Sequence, residues 1–251
     1  RKPFKEHPDM LLREEHIAVF QANWTDKASN IKAIAETLSL GLESMVFLDD
    51  NPAERYEVAM ALDEVEVLNV TSDITNFRDI LDEAKLFVPA SLTQEDKLRN
   101  KFYADNEKRE VAKIQHKNLD DYLNRLEMKA TFTKIDTSNI KRCVQLINKT
   151  NQFNFTGERI SEMDLWDILG NTGTVSFCVS LVDKFGSNGI VSVLVLNRTE
   201  PTVLSLWNWV MSCRVFERGL EAVILEEVAK IAKDTQANKV SIRYCPNTKN
   251  K

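Results

Sequence analysis

Val203-Leu-Ser-Leu-Trp-Asn-Trp-Val-Met-Ser-Cys-Arg-Val-Phe-Glu-Arg-Gly-Leu-Glu-Ala-Val-Ile-Leu225 is the stretch on which the fold turns. Its first half reads as a strand, because Val203, Leu204, Leu206, Trp207, Trp209 and Val210 are β-branched, apolar or aromatic. Its second half reads as a helix: Leu220, Val223, Ile224, Leu225 and Val228 recur at helical spacing, with Glu226 and Glu227 on the outer face. A strand feeding a helix leaves unpaired backbone N–H groups at the helix start, aimed at whatever lies in front. Arg214 and Arg218 flank this turn and Cys213 stands at its mouth, an arrangement suited to a phosphate or pyrophosphate beside a thiol. The same residues admit a plainer reading. A free cysteine is usually a buried hydrophobe, and two arginines four apart can be a solvated helix face.

Around this stretch the sequence predicts a strand over 128–134, helices over 140–149 and 161–169 with Trp166 on the apolar side, and strands over 174–182 and 190–196. Asp183 to Gly189 reads as the turn between the last two, and 240–244 as a final strand. Asn151-Gln-Phe-Asn154 is a polar-aromatic loop that also reads as a capped helix end.

The N-terminal part alternates strand and helix, which means a parallel α/β sheet. Short strands are expected at Met10–Arg13, near Ile17–Phe20, at Met45–Leu48 and at Val65–Val70. Helices are expected at Ala28–Leu38, Ala53–Leu62 and Phe77–Phe87, with Thr25 or Asp26 capping the first and Gly41 stopping it. Ligands of such sheets bind beyond the carboxyl ends of the strands. Asp49 and Asp50 stand there after the Met45–Leu48 run, as oxygen ligands suited to Mg²⁺, and Lys27 at a helix start is placed to reach a phosphate. Asp50-Asn51-Pro52 also reads as a turn and helix cap. Residues 91–127 are mostly charged and predict one or two long helices, starting at a Ser91 or Thr93 cap; His116 reads there as a solvated side chain. The expected organisation is therefore 1–90, a connector over 91–127, and a second domain over 128–251.

The chain has 251 residues, a net charge of -5, and 43% hydrophobic and 28% charged residues, enough for two modest domains. The acidic balance argues against a nucleic-acid partner, and no apolar run is long enough to span a bilayer. Four scattered cysteines and 3 histidines show no zinc spacing; the thiols read as reduced and the compartment as cytoplasmic.

Val46-Phe-Leu-Asp-Asp-Asn-Pro-Ala-Glu-Arg55, preceded by Asp26-Lys27-Ala-Ser-Asn-Ile31, closely resembles the FkbH-like family, which joins a haloacid-dehalogenase-type phosphatase domain to an acyltransferase-like domain. Asn151–Asn154, Asp183–Val191 and Ser212–Val215 with Arg218-Gly219 resemble the second domain of that family. The order of elements after residue 128 is similar to the GNAT acyltransferase fold. In that fold the turn after the central strand carries Gln/Arg-x-x-Gly-x-Gly/Ala and grips the pyrophosphate of coenzyme A. Arg214 and Gly219 match the ends of that pattern, and Glu217 replaces its middle glycine.

The resemblance implies that Lys27, Asp49 and Asp50 belong to a Mg²⁺-dependent phosphatase site. It implies that a glyceryl or related hydroxyacyl group comes from a phosphorylated small-molecule donor and is held as a thioester on Cys213. The group then passes to the phosphopantetheine thiol of an acyl carrier protein. Arg214, Arg218 and Gly219 would bind the donor, Asn151, Gln152 and Asn154 would orient the acyl hydroxyls, and Asp183 and Asn188 would close the site. The family's nucleophile motif, Asp-x-Asp-x-Thr, does not occur in this sequence. Since the chain opens on Arg1, that motif is expected upstream, and the chain as given is expected to lack phosphatase turnover; a last helix and strand are expected beyond Asn250. Two other readings fit the same residues: a coenzyme A-dependent N-acyltransferase, and a carrier-protein docking module without chemistry of its own.

Overall fold

The computed structural model describes residues 1–38, 40–71, 73–88, 96, 98–116, 118–247 and 250. They form two compact units, Arg1–Leu92 and Thr93–Lys251. The expected cap at Ser91 or Thr93 lies outside the described residues.

The first unit runs α1 (Lys2–Glu6), α2 (Lys27–Leu38), β1 (Val46–Phe47), α3 (Pro52–Ala61), β2 (Glu66–Val67) and α4 (Phe77–Ala84). The Asp26 carboxylate accepts the Ser29 N–H at 2.7 Å and so caps α2. Asn51 accepts the Ala53 N–H at 3.0 Å, and Pro52 takes the first turn of α3, where its missing N–H costs nothing. β1 and β2 pair in parallel, Val46 with Glu66 and Phe47 with Val67. Ala28, Val58, Leu62 and Val65 make the core beneath them.

Several expectations here are corrected. Met10–Arg13 and Ile17–Phe20 are irregular, because no neighbouring strand among the described residues pairs with them and Leu11 and Leu12 stay exposed. Gly41 has φ -75 and opens the short turn Leu42–Ser44, so it does not stop α2 through a left-handed conformation. α4 ends at Ala84, where Lys85 turns left-handed with φ 52.

The second unit begins with α5 (Arg99–Ile114) and α6 (Leu119–Arg125), so the charged stretch belongs to this body. His116, read as solvated, lies 3.1 Å from the Asp121 carboxylate. Then follow β3 (Lys129–Lys134), α7 (Ile140–Lys149), α8 (Glu162–Gly170), β4 (Thr174–Asp183), β5 (Gly186–Glu200), β6 (Val203–Met211), α9 (Leu220–Asp234) and β7 (Lys239–Ile242). The sheet order is β3-β4-β5-β6-β7, antiparallel throughout except for the parallel β6–β7 pair. Alternation along the strands feeds two cores. Phe177, Val179, Leu194, Trp209 and Met211 meet Leu220, Ile224 and Val228 of α9. Cys178, Val193, Val195 and Val210 meet Ile140, Leu146 and Ile147 of α7 and Leu165 of α8. The buried face of α8 carries Leu165; Trp166, expected on the apolar side, is 37% exposed. The hairpin β4–β5 is tighter than expected, since only Lys184 and Phe185 separate its strands.

β7 accompanies β6 only from Val203 to Leu206. Beyond that point the edge of β6 is covered by the 151–155 loop. Phe155 N–H donates to the Trp209 carbonyl at 3.2 Å, and Met211 N–H to the Phe153 carbonyl at 3.0 Å. On the loop's other side Cys245 N–H donates to the Phe155 carbonyl at 2.7 Å.

Candidate functional site

In the first unit, Asp49 and Asp50 follow the carboxyl end of β1, and α2 brings Lys27 to Asp49, Nζ to Oδ2, at 3.8 Å. Asp49 also accepts the Asn51 N–H at 2.8 Å. Arg55 donates to the backbone carbonyls of Asp49 and Asp50 at 2.8 and 3.2 Å, which fixes the turn without neutralising either carboxylate. Asp50 is exposed. Among the described residues no group of three His, Cys, Asp or Glu side chains surrounds a metal position. Asp50, with Asp49 beside it, fits an octahedral Mg²⁺ that keeps most of its water or binds substrate phosphate, since that ion needs only one or two carboxylates. It does not amount to a closed protein cage.

In the second unit Cys213 opens the single turn Cys213–Val215, directly after β6, and is half-buried. The preceding Ser212 is pinned by its N–H to the Val191 carbonyl at 2.8 Å, and Val215 anchors the turn in the core. The first turn of α9 comes only at Leu220, so the thiol sits in a short turn ahead of the long helix and not at its N-terminus as the sequence reading had it. Gly219 makes that late start possible: its φ of 75 is a conformation that L side chains resist. Cys143 and Cys178 are buried among apolar side chains, while Cys245 is half-buried, its N–H bonded to the Phe155 carbonyl.

Arg214 lies beside the thiol. Its Nε donates to Ser212 Oγ at 3.3 Å and its Nη2 to the Asn188 carbonyl at 3.5 Å, and its guanidinium stacks 5.0 Å from the centre of the Phe102 ring. Among the described residues no carboxylate comes within 4.0 Å of it. Burial, then the nearby Arg142 charge, hold its pKa down to about 10, with the Cys213 and Tyr103 groups acting the other way. The guanidinium is charged at neutral pH.

Arg218 has a different duty. It is buried, and its Nη1 points at Asp183 Oδ2 at 3.4 Å. Asp183 receives a bidentate fork from Arg109 of α5, Nε to Oδ2 at 2.7 Å and Nη2 to Oδ1 at 2.9 Å. Asn188 Nδ2 joins them at 3.3 Å from Asp183 Oδ2. Asp183, Asn188 and Arg218, expected around the substrate, thus bond to one another and tie the β4–β5 hairpin to α5.

The Asn151–Asn154 loop is divided. Asn154 is buried; its Nδ2 donates to the Ile147 and Thr150 carbonyls at 3.3 Å each, and its Oδ1 accepts the Gly157 N–H at 2.9 Å. That is the capped helix end, which the sequence held open as an alternative. Asn151 accepts from Arg159, and Gln152 is exposed.

These positions do not fit the pyrophosphate of coenzyme A. Arg218 is turned inward, and the exposed Glu217 carboxylate stands at the turn with Lys113, at 3.5 Å, as its one ion-pair partner among the described residues.

Arg142, Arg109 and Phe102 were missed in the sequence. Arg142 lies next to Cys143 on the polar flank of a helix, and Arg109 and Phe102 sit in a charged helix whose periodicity gives no sign that one face is buried against the hairpin.

No protein-family model matches this chain, and no curated protein matches it. Among solved structures it is similar to the N-terminal part of the protein BF1531 from Bacteroides fragilis, containing a phosphatase domain complexed with Mg. The identity is 44% over 36% of this chain, with a TM-score of 0.35, and the chain spans 24% of that structure's length. It is also similar to a GNAT family acetyltransferase from Staphylococcus aureus, at 14% identity and a TM-score of 0.34, over 47% of this chain and 93% of that one. AAC(6')-Iy in complex with the bisubstrate analogue CoA-S-monomethyl-acetylneamine matches at 11% identity, with a TM-score of 0.37, over 48% of this chain and 82% of that one. The chain itself has an α/β unit with a parallel strand pair, followed by a unit built on a five-stranded mixed sheet of order β3-β4-β5-β6-β7. No helix among the described residues is long and apolar enough to cross a membrane.

Proposed function

We propose that this chain is part of an FkbH-like acyl-loading enzyme: it takes a hydroxyacyl group, such as glyceryl, from a phosphorylated donor onto Cys213 and hands it to an acyl carrier protein. The observation that carries this reading is a half-buried thiol following strand β6, beside a guanidinium with no carboxylate partner among the described residues. A guanidinium beside a thiol is placed to meet negative charge that develops as an acyl group is transferred.

In the first step the Cys213 sulfur attacks the carbonyl carbon of an acyl phosphate. The C–S bond forms, the C–O bond to phosphate breaks, and phosphate departs with the electron pair; the thiol proton goes to solvent. Arg214 meets the negative charge that gathers on the leaving oxygen. In the second step the thiol of the carrier's phosphopantetheine attacks the same carbon and Cys213 leaves as thiolate. A phosphate ester elsewhere on the acyl group is work for the first unit, where Lys27 and Asp49 hold one charged edge of a site. The chemistry a bound Mg²⁺ supplies there is charge neutralisation on phosphate oxygens. The attacking carboxylate of that step is not among this chain's motifs.

The test is a mass measurement. The protein is incubated with an activated phosphoglycerate and its peptides are weighed. An acyl adduct is expected on Cys213 and is expected to vanish in Cys213→Ala; no adduct, or one that persists in the variant, rejects the assignment. Coenzyme A-dependent turnover that tolerates Cys213→Ser would establish an N-acyltransferase instead.

A further inference from the structure

One stripe of side chains on α5 fastens that helix along the turn that carries Cys213. Phe102, Asn106, Arg109 and Lys113 are spaced four, three and four apart, which puts them on one face of a helix. Each meets the turn or its anchor. The Arg214 guanidinium carbon lies 5.0 Å from the centre of the Phe102 ring. Asn106 Oδ1 accepts from Arg218 Nη2 at 3.3 Å, and Lys113 Nζ reaches Glu217 at 3.5 Å. Arg109 grips Asp183, to which Arg218 also turns. These polar contacts fix where the Phe102 ring stands.

Phe102 is 6% exposed, yet it belongs to neither apolar core of the second unit. What lies over its ring is a cation. A guanidinium is attracted to the negative face of an aromatic ring, and more strongly when both are out of water. Burial is the first cause holding the Arg214 pKa down to about 10, so the desolvated case applies. The other ties on Arg214 are long: Nε to Ser212 Oγ at 3.3 Å and Nη2 to the Asn188 carbonyl at 3.5 Å. Its Nη1 makes no hydrogen bond among the described residues. The ring face is then the main restraint on the guanidinium, and it leaves the Nη1 donors open, one residue along from Cys213.

We propose that Phe102 is a positioning residue: carried on α5, the face of its ring holds the Arg214 guanidinium where the open donors meet negative charge at Cys213. That this charge belongs to a departing phosphate rests on the acyl-loading reading; the positioning does not.

The test compares two alkylating reagents at Cys213, the anion iodoacetate and the neutral iodoacetamide, followed by peptide mass at constant ionic strength. The exposure and ionisation of the sulfur enter both rates, so the ratio of iodoacetate to iodoacetamide reports the charge beside it. In Arg214→Gln this ratio is expected to fall about tenfold, the scale of one charge-assisted hydrogen bond. In Phe102→Leu, with Arg214 present, it is expected to fall about threefold or more, the scale of a cation–π contact. A pentafluorinated phenylalanine at position 102 keeps the shape of the ring and reverses the charge of its face, and it should lower the ratio as well. It carries the test if circular dichroism shows Phe102→Leu unfolded. A ratio in the unaltered protein no higher than in Arg214→Gln overturns the proposal. So does a ratio that fluorination leaves unmoved, since the ring would then act by bulk alone. A missing acyl adduct on Cys213 with this pattern of ratios intact would refute the acyl-loading reading alone; an adduct with the ratios unmoved would refute the positioning alone.

Discussion

At the scale of single residues, the buried cluster around Asp183 is the most consequential. Burial pushes its carboxyl pKa up, but the hydrogen bond and charge of Arg109, with the Phe185 N–H and Asn188, outweigh it and hold the group below its ordinary value. A carboxylate with a depressed pKa in the folded state contributes stability that is present above its unfolded pKa, about 3.9, and lost as pH falls through the folded one. Asp183→Asn leaves Arg109 buried without its anion, and urea unfolding at pH 7 should show a loss of about 3–5 kcal/mol. The deficit should shrink as unfolding is repeated below about pH 4, where Asp183 of the unfolded chain takes up its proton, and be gone only below the lower folded pKa. The same pairing shows why half of the expected site could not be read from the chain. Arg109 and Asp183 are 74 positions apart, and nothing local in either segment announces the other. The placement of Cys213 and Arg214 in a turn after a strand, by contrast, was legible because the strand-to-turn break lies within a few residues of them.

At the scale of elements, the 151–155 loop does the work of a strand. It continues the pairing of β6 after β7 departs, and Phe153, Phe155 and Trp209 pack with ring centres 4.9 to 5.3 Å apart, edge-on between Phe153 and Trp209 and tilted in the other two pairs. Asn154 holds this loop to the end of α7, so Asn154→Ala should strip protection from the Phe155 and Met211 amides in hydrogen exchange while the amides of β4 keep theirs. A substrate-orienting role alone would leave both unchanged. Gly219 offers a cleaner measurement, because nothing lies within 4 Å of where a methyl group would stand. Gly219→Ala should therefore cost only the left-handed backbone penalty, about 1–2 kcal/mol, seen as a lower urea midpoint. Strands and helices of the second unit were legible from period alone; this loop was not, because its pairing depends on where β7 ends and on Cys245, neither of which its own residues encode.

At the scale of the whole molecule, the two units differ in how much core they own. The first rests a two-stranded sheet on a few buried side chains, and such a sheet is marginal by itself. Backbone amides of residues 46–67 should accordingly exchange faster than those of β4 to β6. Alternation of strand and helix made the α/β character of this unit legible, yet two of its four expected strands are irregular, since an apolar run becomes a strand only where a neighbour accepts its hydrogen bonds. The chain as given should show no Mg²⁺-dependent hydrolysis of a generic phosphate ester, and measurable turnover in a colorimetric assay would contradict that.

The main-chain bonds between Phe153, Phe155 and the far half of β6 carry a kinetic consequence. Any extended chain, a pantetheine arm included, that sought to lie along Trp209 to Met211 would first have to unzip them. Its association rate would then climb with concentration and level off at the rate of unzipping. A stopped-flow trace that stayed linear would mean that the newcomer approaches by another route.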